Sequence, residues 1–158
     1  MTTSTVQAPM LKIGGQVPLF VLPAAGDGKT GPGAVKSKYN LVLLFIDDLD
    51  LGGDYLQALE KIYPRILAEH ARAMVVISSP LEGIETFAGQ RQVPFPLLAD
   101  EGSQTTQRML GEDGSNALCV ADRYGQVYFL ESSNRVENLP GVEAALDWLE
   151  FIQIQCPE

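Results

Sequence analysis

Leu41-Val42-Leu43-Leu44-Phe45-Ile46 runs straight into Asp47-Asp48-Leu49-Asp50-Leu51-Gly52-Gly53-Asp54, and the reading of this junction decides the fold. Six apolar residues in a row have the length of a strand. With no polar residue alternating among them, both faces of that strand must be covered, as at the centre of an α/β sheet. The switch to carboxylates and glycines marks the carboxyl end of the strand, the side on which open α/β sheets bind ligands. Downstream, Tyr55, Leu56, Leu59, Ile62, Tyr63, Ile66 and Leu67 recur at helical spacing, while Glu60, Lys61, Arg65 and Glu69 take the other face. Pro64 is expected to kink this helix, because proline removes a backbone donor and crowds the preceding turn. A second apolar run at 74–77 completes strand, helix, strand, a crossover that makes the two strands parallel.

Beyond it, Ser79-Pro80-Leu81-Glu82 combines a serine N-cap, a proline at the first helical position and a glutamate placed to close a capping box, so a helix is expected to about Arg91. Phe95-Pro96-Leu97-Leu98 reads as extended, residues 100–103 as the cap of a short helix reaching Leu110, and 117–121 as a strand. Asp122-Arg123-Tyr124-Gly125 turns the chain into 126–130, the second arm of a hairpin, and 141–155 is helical. Residues 24–37, rich in Gly, Lys and Pro, read as a loop, and 1–12 as a flexible N-terminal segment. At 158 residues, 46% of them hydrophobic, the chain suits a single domain over 1–158, an α/β sandwich.

Composition excludes several functions. With 20 acidic against 11 basic residues the net charge is −9, which repels nucleic acid and anionic membrane surfaces. No apolar run reaches the roughly 18 residues of a membrane span, and the N-terminus lacks a signal-peptide pattern, so a soluble, cytoplasmic protein is expected. Two cysteines, Cys119 and Cys156, and one histidine, His70, make neither a disulfide framework nor a zinc site, and no cofactor is expected.

Gly14-Gly15-Gln16-Val17-Pro18-Leu19-Phe20-Val21-Leu22-Pro23 and Gly26-Asp27-Gly28 open a longer pattern. It continues through the 41–46 strand, Val75-Val76-Ile77-Ser78, Phe87, Val93-Pro94-Phe95-Pro96-Leu97-Leu98-Ala99-Asp100, and Val120-Ala121-Asp122-Arg123-Tyr124-Gly125-Gln126-Val127. Over about residues 14–150 this order resembles the peroxiredoxin-like branch of the thioredoxin-fold superfamily, which includes the alkyl hydroperoxide reductase, thiol-specific antioxidant and redoxin proteins. The resemblance implies a central mixed sheet flanked by helices, with a C-terminal hairpin and helix. It also implies a peroxide-attacking cysteine in the loop after the first strand, where the helix N-terminus lowers the thiol pKa.

Here that loop is Asp47, Asp48, Asp50, Gly52, Gly53 and Asp54, and no cysteine precedes Cys119. The threonine that orients the peroxide is also missing, and the family's arginine falls near Asn116. A carboxylate cannot substitute for the thiolate, because the reaction passes through sulfenic acid. The expected protein is therefore a non-catalytic interaction or redox-accessory protein. The alternatives are a thiol oxidoreductase working through Cys119 or Cys156, and divalent-cation or phosphate chemistry at the Asp47–Asp54 carboxylates. Cys119, inside Ala-Leu-Cys-Val-Ala, reads as a buried inert thiol, and Cys156 as exposed. His70 reads as the end of a helix, where its partial positive charge suits the dipole. In the last helix Val142, Ala145, Leu146, Leu149 and Ile152 form one stripe, and Trp148, Phe151 and Ile154 spread beyond it. So wide an apolar surface calls for a covering segment or a protein partner, with a homodimer expected.

Overall fold

Alternate side chains of a strand go to opposite faces of its sheet, and the central strand here is buried along its whole length. In the computed structural model, which describes residues 8–26, 28–112 and 114–155, two short strands come first, β1 (Leu22–Pro23) and β2 (Lys29–Thr30). They are followed by β3 (Asn40–Ile46), α1 (Leu49–Ala68), β4 (Ala71–Ile77), α2 (Leu81–Gln90) and β5 (Leu97–Ala99). The chain continues through α3 (Gln104–Leu110), β6 (Asn116–Ala121), β7 (Val127–Ser133) and α4 (Glu143–Gln155). The main sheet has the order β5-β4-β3-β6-β7. β4 runs parallel to β3 and β5, whereas β6 is antiparallel to β3 and β7, so the sheet is mixed.

Val42, Leu44 and Ile46 join the core formed with α1, α2 and α4, while Leu41, Leu43 and Phe45 face a second core. That second core is covered by Met109 and Leu110 of α3 and by Leu11, Val17, Phe20 and Ala24 of the N-terminal segment. This two-sided cover is why six consecutive apolar residues carry no polar alternation. Burying each large apolar side chain of α1 (Leu56, Leu59, Ile62, Ile66) contributes about 1.5–3 kcal/mol.

The β6–β7 turn is built as its sequence suggests. Asp122, 5% exposed, accepts from the amides of Tyr124 and Gln126, and Gly125 takes the positive φ of 89° that the turn requires. Asn40 links three elements at the other end of the sheet, donating through Nδ2 to the Glu69 carbonyl and to Gln153 Oε1 of α4. His70 adopts a positive φ of 55° just past α1 and ends it, and its carbonyl accepts from Asn40 N.

Three local expectations are revised. Ser79 does not cap α2: the N-cap residue is Pro80, no side chain bonds the free amides, and Ser79 N is turned back onto the Ile77 carbonyl. Residues 24–37 are not all loop, since they hold β2 and a short 3₁₀ turn, Pro32–Ala34. The last helix starts at Glu143 because Gly141 and Val142 form a tighter lead-in, their carbonyls accepting from Ala144 and Ala145 three residues on.

The wide apolar surface of α4 is covered in part by β7. Phe129 stacks on Trp148 with ring centroids 5.8 Å apart, and Tyr128 meets Phe151 edge-on at 6.2 Å. Phe151 and Ile154 remain 44% and 75% exposed. No helix among the described residues is long and apolar enough to cross a membrane.

Candidate functional site

The carboxyl end of β3 opens into the first turn of α1, and each acidic residue there has a separate task. Asp48 is the N-cap of α1, its Oδ1 accepting from the amides of Asp50 at 2.9 Å and Leu51 at 3.2 Å. Asp47 is tied across the sheet instead: its Oδ2 accepts from the Ser115 hydroxyl at 2.7 Å and its amide donates to Asn116 Oδ1 at 3.0 Å. Asn116 is fully buried, and its Nδ2 reaches the Ser133 carbonyl at 3.4 Å. The residue near the expected arginine thus joins β3, β6 and β7 as a neutral amide and brings no cation to the loop.

Asp50 and Asp54 point to solvent. Gly52 is buried because α1 starts close against β3; a Cβ there would sit 2.5 Å from Ile46 Cγ2, whereas one at Gly53 would meet nothing within 4 Å. The four aspartates therefore do not converge. Among the described residues no group of three or more His, Cys, Asp or Glu side chains is placed to hold a metal ion.

Two adjoining hollows lie beside this loop. One of about 340 Å³ is lined by Leu51, Tyr55, Ala58, Val136 and Val142 with Asp54, Glu137 and Glu143. The other, about 490 Å³, is lined by Asp47, Asp48, Leu51, Asn134, Arg135, Val136 and Glu137. Tyr55 anchors the junction by donating its hydroxyl to the Pro140 carbonyl at 2.7 Å. Burial, and then the Glu143 carboxylate, push its phenol above the ordinary range. Within the 134–143 segment, only 141–143 is marked by the sequence, as the start of the last helix. The segment meets the loop only through contacts across some 85 residues, and its other local signal is the pairing of buried Val136 and Leu139 within polar surroundings.

The sulfur that is described lies elsewhere. Cys119 sits in β6 between Leu43 and Leu130, with 0% exposure, and burial pushes its thiol up to about 12. Cys156 lies outside the described residues. His70 follows the far end of α1, which at 20 residues places it roughly 30 Å from the acidic loop by helix rise. Among the described residues, no histidine or lysine lines either hollow.

No protein-family model and no curated protein matches the chain. Solved structures do. The crystal structure of peroxidoxin BcpB from Mycobacterium tuberculosis superposes with a TM-score of 0.77 at 20% identity, covering 90% of this chain and 98% of that one. The reduced 2-Cys peroxiredoxin of Plasmodium vivax gives 0.78 at 16% identity, over 90% and 82% of the two chains. A putative protein disulfide isomerase from Bacteroides thetaiotaomicron gives 0.70 at 19% identity, over 94% and 92%. At such identities the likeness establishes architecture, and the five-stranded mixed sheet with its flanking helices is the thioredoxin-like fold in the form that peroxiredoxins share.

Proposed function

We propose that this chain is a non-catalytic, peroxiredoxin-like protein in which the start of α1 binds a partner instead of reacting with a peroxide. The observation that carries this reading is the state of the loop. It holds no sulfur, its cap position is filled by Asp48, and its remaining sheet-side polar groups are satisfied by Ser115 and Asn116. Peroxide reduction needs a thiolate, and the thiol of Cys119 is both inaccessible and shifted far from ionisation at neutral pH. Exposed Phe151 and Ile154 support self-association through α4 as a second feature of the same scaffold.

Peroxide consumption with dithiothreitol or thioredoxin as donor tests the reading. The expected rate equals that of a Cys119→Ser, Cys156→Ser double variant, and turnover lost on Cys119→Ser alone would overturn it. Native thiol titration should leave Cys119 slow until the chain is unfolded. Placing a thiol at the unobstructed position, Gly53→Cys, is expected to give a labelled but weakly peroxidatic sulfur. The acidic neighbours oppose ionisation, and neither a threonine nor an arginine is present to hold the peroxide. Sedimentation equilibrium of the wild type and Ile154→Asp reads the self-association: a dimer weakened by the substitution is expected, and a monomer in both would remove it.

A further inference from the structure

We propose that the groove beside the start of α1 docks a basic, amphipathic peptide segment of a protein partner, with Lys or Arg heads on its carboxylate rim and apolar side chains on its floor. The inference rests on the binding reading above and assigns the partner's chemistry. The two hollows share Leu51, Val136 and Glu137, so a single extended ligand can span both. The smaller hollow is floored mainly by apolar side chains, the larger is lined mostly by polar ones, and Leu51, 68% exposed, is shared by both. Around that floor stand five carboxylates, Asp47, Asp48, Asp54, Glu137 and Glu143, against one guanidinium, Arg135. Arg135 lies 3.8 Å from Glu137, so these two charges offset each other and four carboxylates stand unbalanced.

Charge and shape then select the same ligand. Lys and Arg carry an aliphatic stem beneath the charged head, so they can lay methylenes on Leu51 and Val136 while the head stays wet at the rim. Complementary potential raises the encounter rate and rejects acidic chains, and the overall charge of −9 acts in the same direction. An anion is excluded on a second ground, since the amides at the start of α1 that would receive it are bonded to Asp48.

The test titrates the full-length, ¹⁵N-labelled protein with a short blocked peptide in which leucine alternates with arginine and lysine. One control replaces the leucines by serine, and another replaces the cations by glutamate. Amide shifts are expected to cluster at Leu51, Ala58, Val136 and Val142, with affinity weakening steeply as salt rises. Glu137→Lys is expected to weaken binding by about tenfold or more. Its side chain is 66% exposed, so the fold is not at risk, and Leu51→Ser provides a second, uncharged probe of the floor. Equal binding of the serine peptide, shifts spread over the acidic surface, no response to either substitution, or no binding of the leucine peptide would each overturn the proposal. None of these results alters the peroxide assay, which judges the non-catalytic reading on its own.

Discussion

Asp48 and Asp100 both stand where a parallel strand gives way to a helix, and they hold their helices in opposite environments. Asp48 follows β3 at the surface and accepts two amides, both on Oδ1. Asp100 follows β5 and is 3% exposed; its Oδ1 accepts from Thr105 N, and its Oδ2 accepts from both the amide and the hydroxyl of Thr106 at 2.7 Å. One junction remains open beside a groove, while the other is a sealed polar knot under α3. The same residue type therefore serves an accessible surface in one place and internal order in the other, and burial alone makes the difference.

Asp100→Asn should have the largest effect. An amide offers one acceptor oxygen where two are in use, so at least one buried donor loses its partner, at a cost of about 2–4 kcal/mol in urea unfolding. A cost below that of an ordinary exposed cap would break the contrast. Gly52→Ala comes next. Its Cβ meets Ile46 at the open junction, and the overpacking should outweigh the helix-propensity gain and leave a loss of about 1–2 kcal/mol, measurable by the same unfolding curves.

Asp48→Ala should cost about 1 kcal/mol as a lost cap, while Asp48→Asn, which keeps the single oxygen that is used, should be nearly neutral. A large penalty for Asp48→Asn would mean that its charge, and not its acceptor, matters to the fold. The smallest change is a gain: Gly53→Ala enters open space within a helix and should stabilise by about 0.5–1 kcal/mol, shifting the urea midpoint upward.

These contrasts separate what could be read in the chain from what could not. The strand at 41–46, the helix that follows, the hairpin turn at 122–125 and the Asp100 cap were legible because each is written in local periodicity or in one turn residue with a known bonding habit. The capping pattern at Ser79 misled for a related reason. Caps depend on the backbone direction at entry, and here the chain turns Ser79 N back onto Ile77 before α2 begins. The acidic loop was visible as composition, yet its division into a cap, a cross-sheet tie and solvent-facing charges was not, because Ser115 and Asn116 lie nearly 70 residues away.

By itself, then, the sequence determined that a doubly covered α/β sheet forms and that no thiol stands at the start of its first long helix. Both follow from residue identity and short-range periodicity. Only the tertiary structure decided that β7 covers Trp148 and that the 134–143 segment meets Leu51 to make a groove with an apolar patch and an acidic rim. Those outcomes depend on which distant segments share a surface, and chain closure over tens of residues leaves no periodic mark in the residues it brings together.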